Sequence, residues 1–165
     1  MSKMDPLTMV TLNYINSPFI FFRARGESHM AAQDYVYIGP LEANRSGDYR
    51  YYLWLATWSS MDSVQSEPSL ERLESVDLIA DGKSVTLKMN GASVAAFGAS
   101  EAVYPKPVGW ATEIYYDLTL EQLREIAEAS DLRLRFPATG ETYAPWDDQA
   151  ASKAGALEFL MRAEP

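Results

Sequence analysis

Residues 49–58 carry the densest apolar pattern in the chain, with five aromatic side chains among them. Read as a strand, their alternation places Tyr52, Trp54, Ala56 and Trp58 on one face and Tyr51, Leu53, Leu55 and Thr57 on the other. Both faces are largely apolar. Such a strand needs cover on each side, so the pattern predicts a central strand with Trp54 and Trp58 in the core. Residues 35–38, Tyr-Val-Tyr-Ile, predict its neighbour, with Gly39-Pro40 ending that strand and turn formers at 42–48 joining the two as a hairpin that permits aromatic cross-strand pairs.

Elsewhere the alternation is shorter. Residues 8–15 and 19–25 predict two strands broken at Asn16-Ser17-Pro18, the second with Phe19, Phe21 and Arg23 on one face and its end wet at Arg23 and Arg25. Residues 73–80 and 83–89 flank Asp81-Gly82, a pair that supplies the positive φ values of a type I′ turn. Asn90-Gly91 predicts a second such turn, leading to a short strand at 92–97. Residues 111–118 predict a further strand, and Leu132-Arg133-Leu134-Arg135-Phe136 alternates throughout, apolar residues inward and arginines outward. Residues 59–69 are polar and read as a connection, while 141–144 form a brief extended piece.

The period changes to that of a helix twice. Thr119 and Gln122 have the spacing of a capping box, and Leu118 and Leu123 that of a hydrophobic staple. They open a helix over about 119–130 whose apolar stripe is Leu120, Leu123, Ile126 and Ala127. Asp147 and Asp148 cap a last helix, expected to bury Ala150, Ala154, Leu157, Leu160 and Met161. The resulting fold class is α+β and β-rich: an antiparallel sheet or sandwich of about eight strands with two helices packed on or beside it. At 165 residues without repeats or a linker, the expectation is a single domain over 1–165.

Composition narrows the function classes. A formal charge of −9 opposes binding to a phosphate backbone, so no nucleic-acid partner is expected. The chain has no cysteine, which removes disulfides, thiolate chemistry and Cys-based metal sites. Its longest early apolar run, Phe19-Ile20-Phe21-Phe22, is far below the roughly 20 residues of a membrane-spanning helix. Residues 1–6, Met-Ser-Lys-Met-Asp-Pro, lack the features of a secretory signal. These features leave the compartment open: periplasm or cell envelope if a signal precedes this sequence, otherwise cytoplasm.

No glycine-rich phosphate loop and no G-x-S-x-G elbow occurs. His29 is the one histidine and reads as a surface or structural residue, since a zinc site needs three or four ligands; no metal or cofactor is expected. Asp147-Asp148 reads as a cap rather than a catalytic pair. Arg45, Arg50, Arg133 and Arg135 are ordinary protection of wet strand faces. The candidate binding residues are Tyr104, Lys106 and Trp110, because they lie on or beside a loop stiffened by Pro105 and Pro107, and loops on rigid scaffolds carry binding groups.

These observations lead first to a non-catalytic binding or interaction module, of the kind an exported bacterial envelope protein provides, meeting a protein or glycan ligand through residues 104–110. Two alternatives stand beside it. One is a carboxylate-dependent hydrolase acting on a small or glycan substrate, with His29, Glu113 or Asp117 as base. The other is an acidic inhibitor of a basic protein, drawn to its partner by charge.

Overall fold

The alternating stretches become strands that close on themselves. The computed structural model describes residues 1–24, 33–60 and 70–163. In chain order the strands are β1 (Ser2–Met4), β2 (Thr11–Tyr14), β3 (Phe19–Ala24), β4 (Gln33–Arg45), β5 (Asp48–Ser59), β6 (Ser75–Ala80), β7 (Lys83–Gly91), β8 (Thr112–Asp117), β9 (Leu132–Phe136) and β10 (Glu141–Pro145). The helices are α1 (Leu70–Leu73), α2 (Leu120–Glu128) and α3 (Ala150–Ala163).

Following the hydrogen bonds round, the order is β4-β3-β10-β9-β6-β7-β8-β5, and β5 pairs again with β4. Eight antiparallel strands therefore close a barrel, which replaces the open sheet or sandwich expected from the sequence. The other two strands, β1 and β2, extend from β4 as a flap.

Strand β4 makes this arrangement possible. It runs 13 residues, straight through the Gly39-Pro40 break that was expected to end it. Along one edge it pairs with β5 over its whole length; along the other it pairs with β3 up to Ile38 and with β2 from Leu41. Gly39 and Pro40 lie where the partner changes. The Pro40 carbonyl accepts a bond from the Tyr104 hydroxyl at 2.6 Å, and a residue's nitrogen and carbonyl face the same strand edge. The missing N–H of Pro40 thus faces the gap between β2 and β3, where no ladder bond is lost.

Register and alternation together put one set of side chains inside. Phe19, Phe21, Val36, Ile38, Leu53, Leu55, Ile114, Tyr116, Leu78, Leu87, Leu134, Phe136 and Tyr143 fill the barrel and are all buried. An eight-stranded barrel is just wide enough for its own side chains, and this one is a packed core.

The local signals mostly held. Asp81 and Gly82 have φ of 51° and 85°, as the type I′ turn requires. Thr119 closes its capping box: its Oγ1 accepts the Gln122 N–H at 3.1 Å, and Gln122 Oε1 accepts the Thr119 N–H at 2.9 Å. Leu123, Ile126 and Ala127 of α2 are buried, and Leu132, Leu134 and Phe136 point inward.

Other expectations are corrected. Gly91 continues β7 through a bulge instead of turning, and residues 94–97 form a 3-10 turn rather than a strand, with Gly98 at φ 82° ending it. Leu73 belongs to α1, and β1 was not foreseen. Helix α3 buries Ser152, Ala156, Phe159 and Leu160, leaving Leu157 and Met161 exposed. The helix is thus rotated from the stripe expected, with Gly155 lying close to Ile15.

Candidate functional site

The side chains that alternate with the barrel core point outward, and on the neighbouring strands β3, β4 and β5 they include Phe22, Tyr35, Tyr37, Trp54 and Trp58. Phe22 of β3 lies opposite Tyr35 of β4, and Tyr35 lies opposite Trp58 of β5. Tyr35 stacks on Trp58 with centroids 5.5 Å apart, and Tyr37 meets Trp58 edge to face at 4.5 Å. Trp146, just past β10, meets Phe22 at 5.4 Å and Tyr35 at 5.8 Å and is 52% exposed. These are favourable geometries for aromatic pairs. They form a band whose outer rim stays in water.

The band continues into a cleft beneath the loop that links β7 to β8. Tyr14, Ile15, Asn16, Pro18, Tyr37, Trp54, Val103, Tyr104, Pro105, Lys106 and Pro107 line it, and its volume is about 500 Å³. That size and lining suit a small ligand or a short peptide segment. Tyr14 stands edge-on to Tyr104 at 5.7 Å. Burial raises the pKa of the Tyr37 hydroxyl, with the charge of a neighbouring Tyr35 adding to it, so this group stays protonated at neutral pH.

Two devices hold the covering loop in place. Tyr104 is 3% exposed, lies flat on Trp54 at 4.6 Å, and sends its hydroxyl into the β2–β3 gap, where it donates to Pro40 and accepts from the Ile15 N–H at 3.1 Å. Gly39 is the seat of that ring: a Cβ there would stand 2.6 Å from it. Asp5 is the second device. Its carboxylate accepts from the Ser100 hydroxyl and from the backbone N–H groups of Leu7, Thr8, Ser100 and Glu101. The Ser100 hydroxyl bond, reinforced by those backbone bonds against the opposing effect of burial, holds the Asp5 carboxyl well below the usual carboxylate range.

Of the residues singled out from the sequence, Tyr104 and Lys106 both line the cleft, Tyr104 as a buried wall and Lys106 beside the two prolines. Trp110 is 38% exposed and lies beyond it, its indole N–H donating to the Ser59 carbonyl at 2.9 Å. Trp54 and Trp58 are buried, as expected for core residues. Tyr14, Tyr37 and Trp146 were not picked out. The outward parity of Tyr37 was legible, but the approach of Tyr14 and Trp146 depends on pairings far apart in sequence.

The carboxylates weighed as catalytic groups do not converge. Glu113 accepts the Trp54 indole N–H at 2.8 Å, and Asp117 accepts from the Asn90 amide at 2.9 Å. Four residues apart on one strand face, they are about 13 Å from each other, beyond the range of paired glycosidase carboxylates. Asp147 and Asp148 accept the N–H groups of Gln149 and Ala150 at the start of α3, as caps. His29 lies outside the described residues. Among the described residues no group of three or more His, Asp or Glu is placed to hold a metal.

One end of the barrel holds a second polar cluster. Arg23, expected to be wet, donates to Asp34 at 2.7 Å; Arg72 of α1 donates to Glu141 at 2.8 Å and to the Tyr143 hydroxyl at 3.2 Å. Burial pushes the Glu141 carboxyl up, but the Arg72 bond and the nearby positive charges outweigh it and leave it below its ordinary value. Burial pushes Tyr143 up to about 12. With two arginines answering two carboxylates, the cluster is internally compensated and serves to close the barrel end. Arg135 likewise bonds Asp77 at 2.8 Å on the outer wall.

Comparison with protein families, with characterised proteins and with solved structures returns no match.

Proposed function

We propose that this protein is a non-catalytic binding module that holds a protein or glycan segment against the aromatic face and cleft of its barrel. The observation that carries the reading is the cleft itself: rings of Tyr14, Tyr37 and Tyr104 with Pro105, Pro107 and Lys106 beside them, on a closed barrel and next to the exposed Trp146. Ring faces supply apolar contact at low conformational cost, and a rigid scaffold keeps them set before the ligand arrives. Lys106 is retained from the residues expected to bind, while Trp110 stands at the margin.

The test is binding of the purified chain to arrayed oligosaccharides and peptides, compared with Trp146→Ala and Tyr37→Ala. Trp146→Ala is expected to change stability by about 1 kcal/mol or less, because its ring is half in water, and to weaken binding roughly tenfold, as removal of an aromatic anchor does. Ligands that bind both variants as tightly as the parent would refute the site.

A further inference from the structure

Resting on that binding reading, we infer that the ligand is a proline-rich segment in the polyproline II conformation, laid across the outer face from Trp146 to the cleft at Lys106. The inference comes from the hydrogen-bonding groups that the face leaves open. Among the described residues, the hydroxyls of Tyr14 and Tyr37, the indole N–H groups of Trp58 and Trp146 and the Lys106 ammonium make no hydrogen bond or ion pair. The indoles and the ammonium can only donate, and each tyrosine can donate. The carboxylate nearest the cleft, that of Glu113, accepts the Trp54 indole N–H through Oε2 and is not part of the cleft lining.

A sugar brings many hydroxyls, each of which donates as well as accepts, and its sites answer with carboxylates and amides; here Asn16 is the one amide in the cleft lining. A polyproline segment has the reverse inventory. Its backbone carbonyls accept, its imide nitrogens have nothing to donate, and its pyrrolidine rings pack on aromatic and proline surfaces. Rings that expose donors in a cleft lined by no carboxylate complement such a chain, and offer a sugar's donors only the Asn16 carbonyl and the tyrosine hydroxyls as acceptors. The dimensions agree. From β10 to β5 the face spans three inter-strand spacings, about 14 Å, which about five residues of polyproline II cover at roughly 3.1 Å each.

The experiment is a titration of the isotope-labelled full chain with decaproline, a Gly-Ser peptide of equal length, and a hexamer of β-1,4-linked glucose, followed by amide and indole chemical shifts. Decaproline is expected to move the Trp146 and Trp58 indole signals and the amides around Tyr37 and Lys106, with the Gly-Ser peptide silent. Tyr37→Phe keeps the ring and removes one donor, and should weaken decaproline binding about fivefold; Met161→Ala, on the exposed side of α3, should leave it unchanged. Shifts at these positions with the glucose hexamer but not with decaproline would overturn the polyproline assignment and leave the binding reading standing. Silence towards all three probes at millimolar concentration would overturn both, and decaproline shifts confined to another face would overturn the assignment.

Discussion

The inside and the outside of the β3–β4–β5 wall are made from the same three strands and differ by one step of alternation. Inward, Phe19, Phe21, Val36, Ile38, Leu53 and Leu55 are exposed by 1% or less. Outward, Phe22, Tyr35 and Tyr37 are half-buried: Tyr35 stacks on Trp58, Tyr37 meets Trp58 edge to face, and Phe22 meets Trp146 at the edge of the face. The six inward residues carry no polar side-chain atom, and the hydroxyls of Tyr116 and Tyr143 elsewhere in the barrel are satisfied by the Leu73 carbonyl and by Arg72 and Glu141. The outer set is aromatic with polar tips, residues that pack their ring bodies together while keeping a hydroxyl or indole N–H in reach of water. The packed core and the proposed recognition surface thereby lie on two sides of one sheet.

Substitutions can break that separation, and the largest effect belongs inside. Phe136→Ala opens a cavity in the barrel centre and should lower unfolding free energy by about 3–5 kcal/mol in denaturant titration. The next is at the seat of the covering loop: Gly39→Ala puts a methyl group against the Tyr104 ring, so either the ring or the strand must move, at a cost of about 1–3 kcal/mol. Tyr104→Phe keeps the ring on Trp54 but leaves the Pro40 carbonyl and the Ile15 N–H without their partner. It should cost about 2 kcal/mol. A loss as large as that of Phe136→Ala would mean that the outer face is core after all.

The smallest effect is local and set by pH. Asp5 titrates near 3.8 in an unfolded chain and well below that in the folded one. Its contribution is therefore complete above about pH 4 and is lost as the pH falls from there towards the folded value. Protection factors at the Ser100 and Glu101 amides, taken relative to intrinsic exchange at each pH, should fall over that interval while Leu55 and Ile114 in the barrel wall remain protected. An equal fall at all four would show that the loop and the barrel open together.

How far the fold could be read depended on the range of each signal. Asp81-Gly82, the Thr119–Gln122 capping box and the Leu132–Phe136 alternation act within a few residues and were legible. The Gly39-Pro40 pair misled, because a glycine and a proline break a strand unless the neighbouring edge happens to be open there, and the open edge comes from β2 and β3. Asn90-Gly91 misled for the same reason: the pairing of β7 with β8 holds the chain extended through a bulge. Within the candidate site, Tyr104 and Lys106 were found from the stiff loop that bears them. The burial of Tyr104 was not, since it requires Gly39 and Trp54 beneath the ring.

By itself the sequence determined which residues alternate, where the two longer helices start, that both faces of residues 52–58 would be covered, and that the chain is acidic and free of cysteine. Those properties follow from local sterics and from the counting of charges and apolar groups. Only the tertiary structure decided that the sheet closes into a barrel, that β4 exchanges one partner for another at Pro40, and that Tyr14, Tyr37, Lys106 and Trp146 share one face. Closure and convergence are set by pairings between distant segments, such as Pro145 with Phe21, 124 residues apart, and such pairings leave no periodic mark on the chain that makes them.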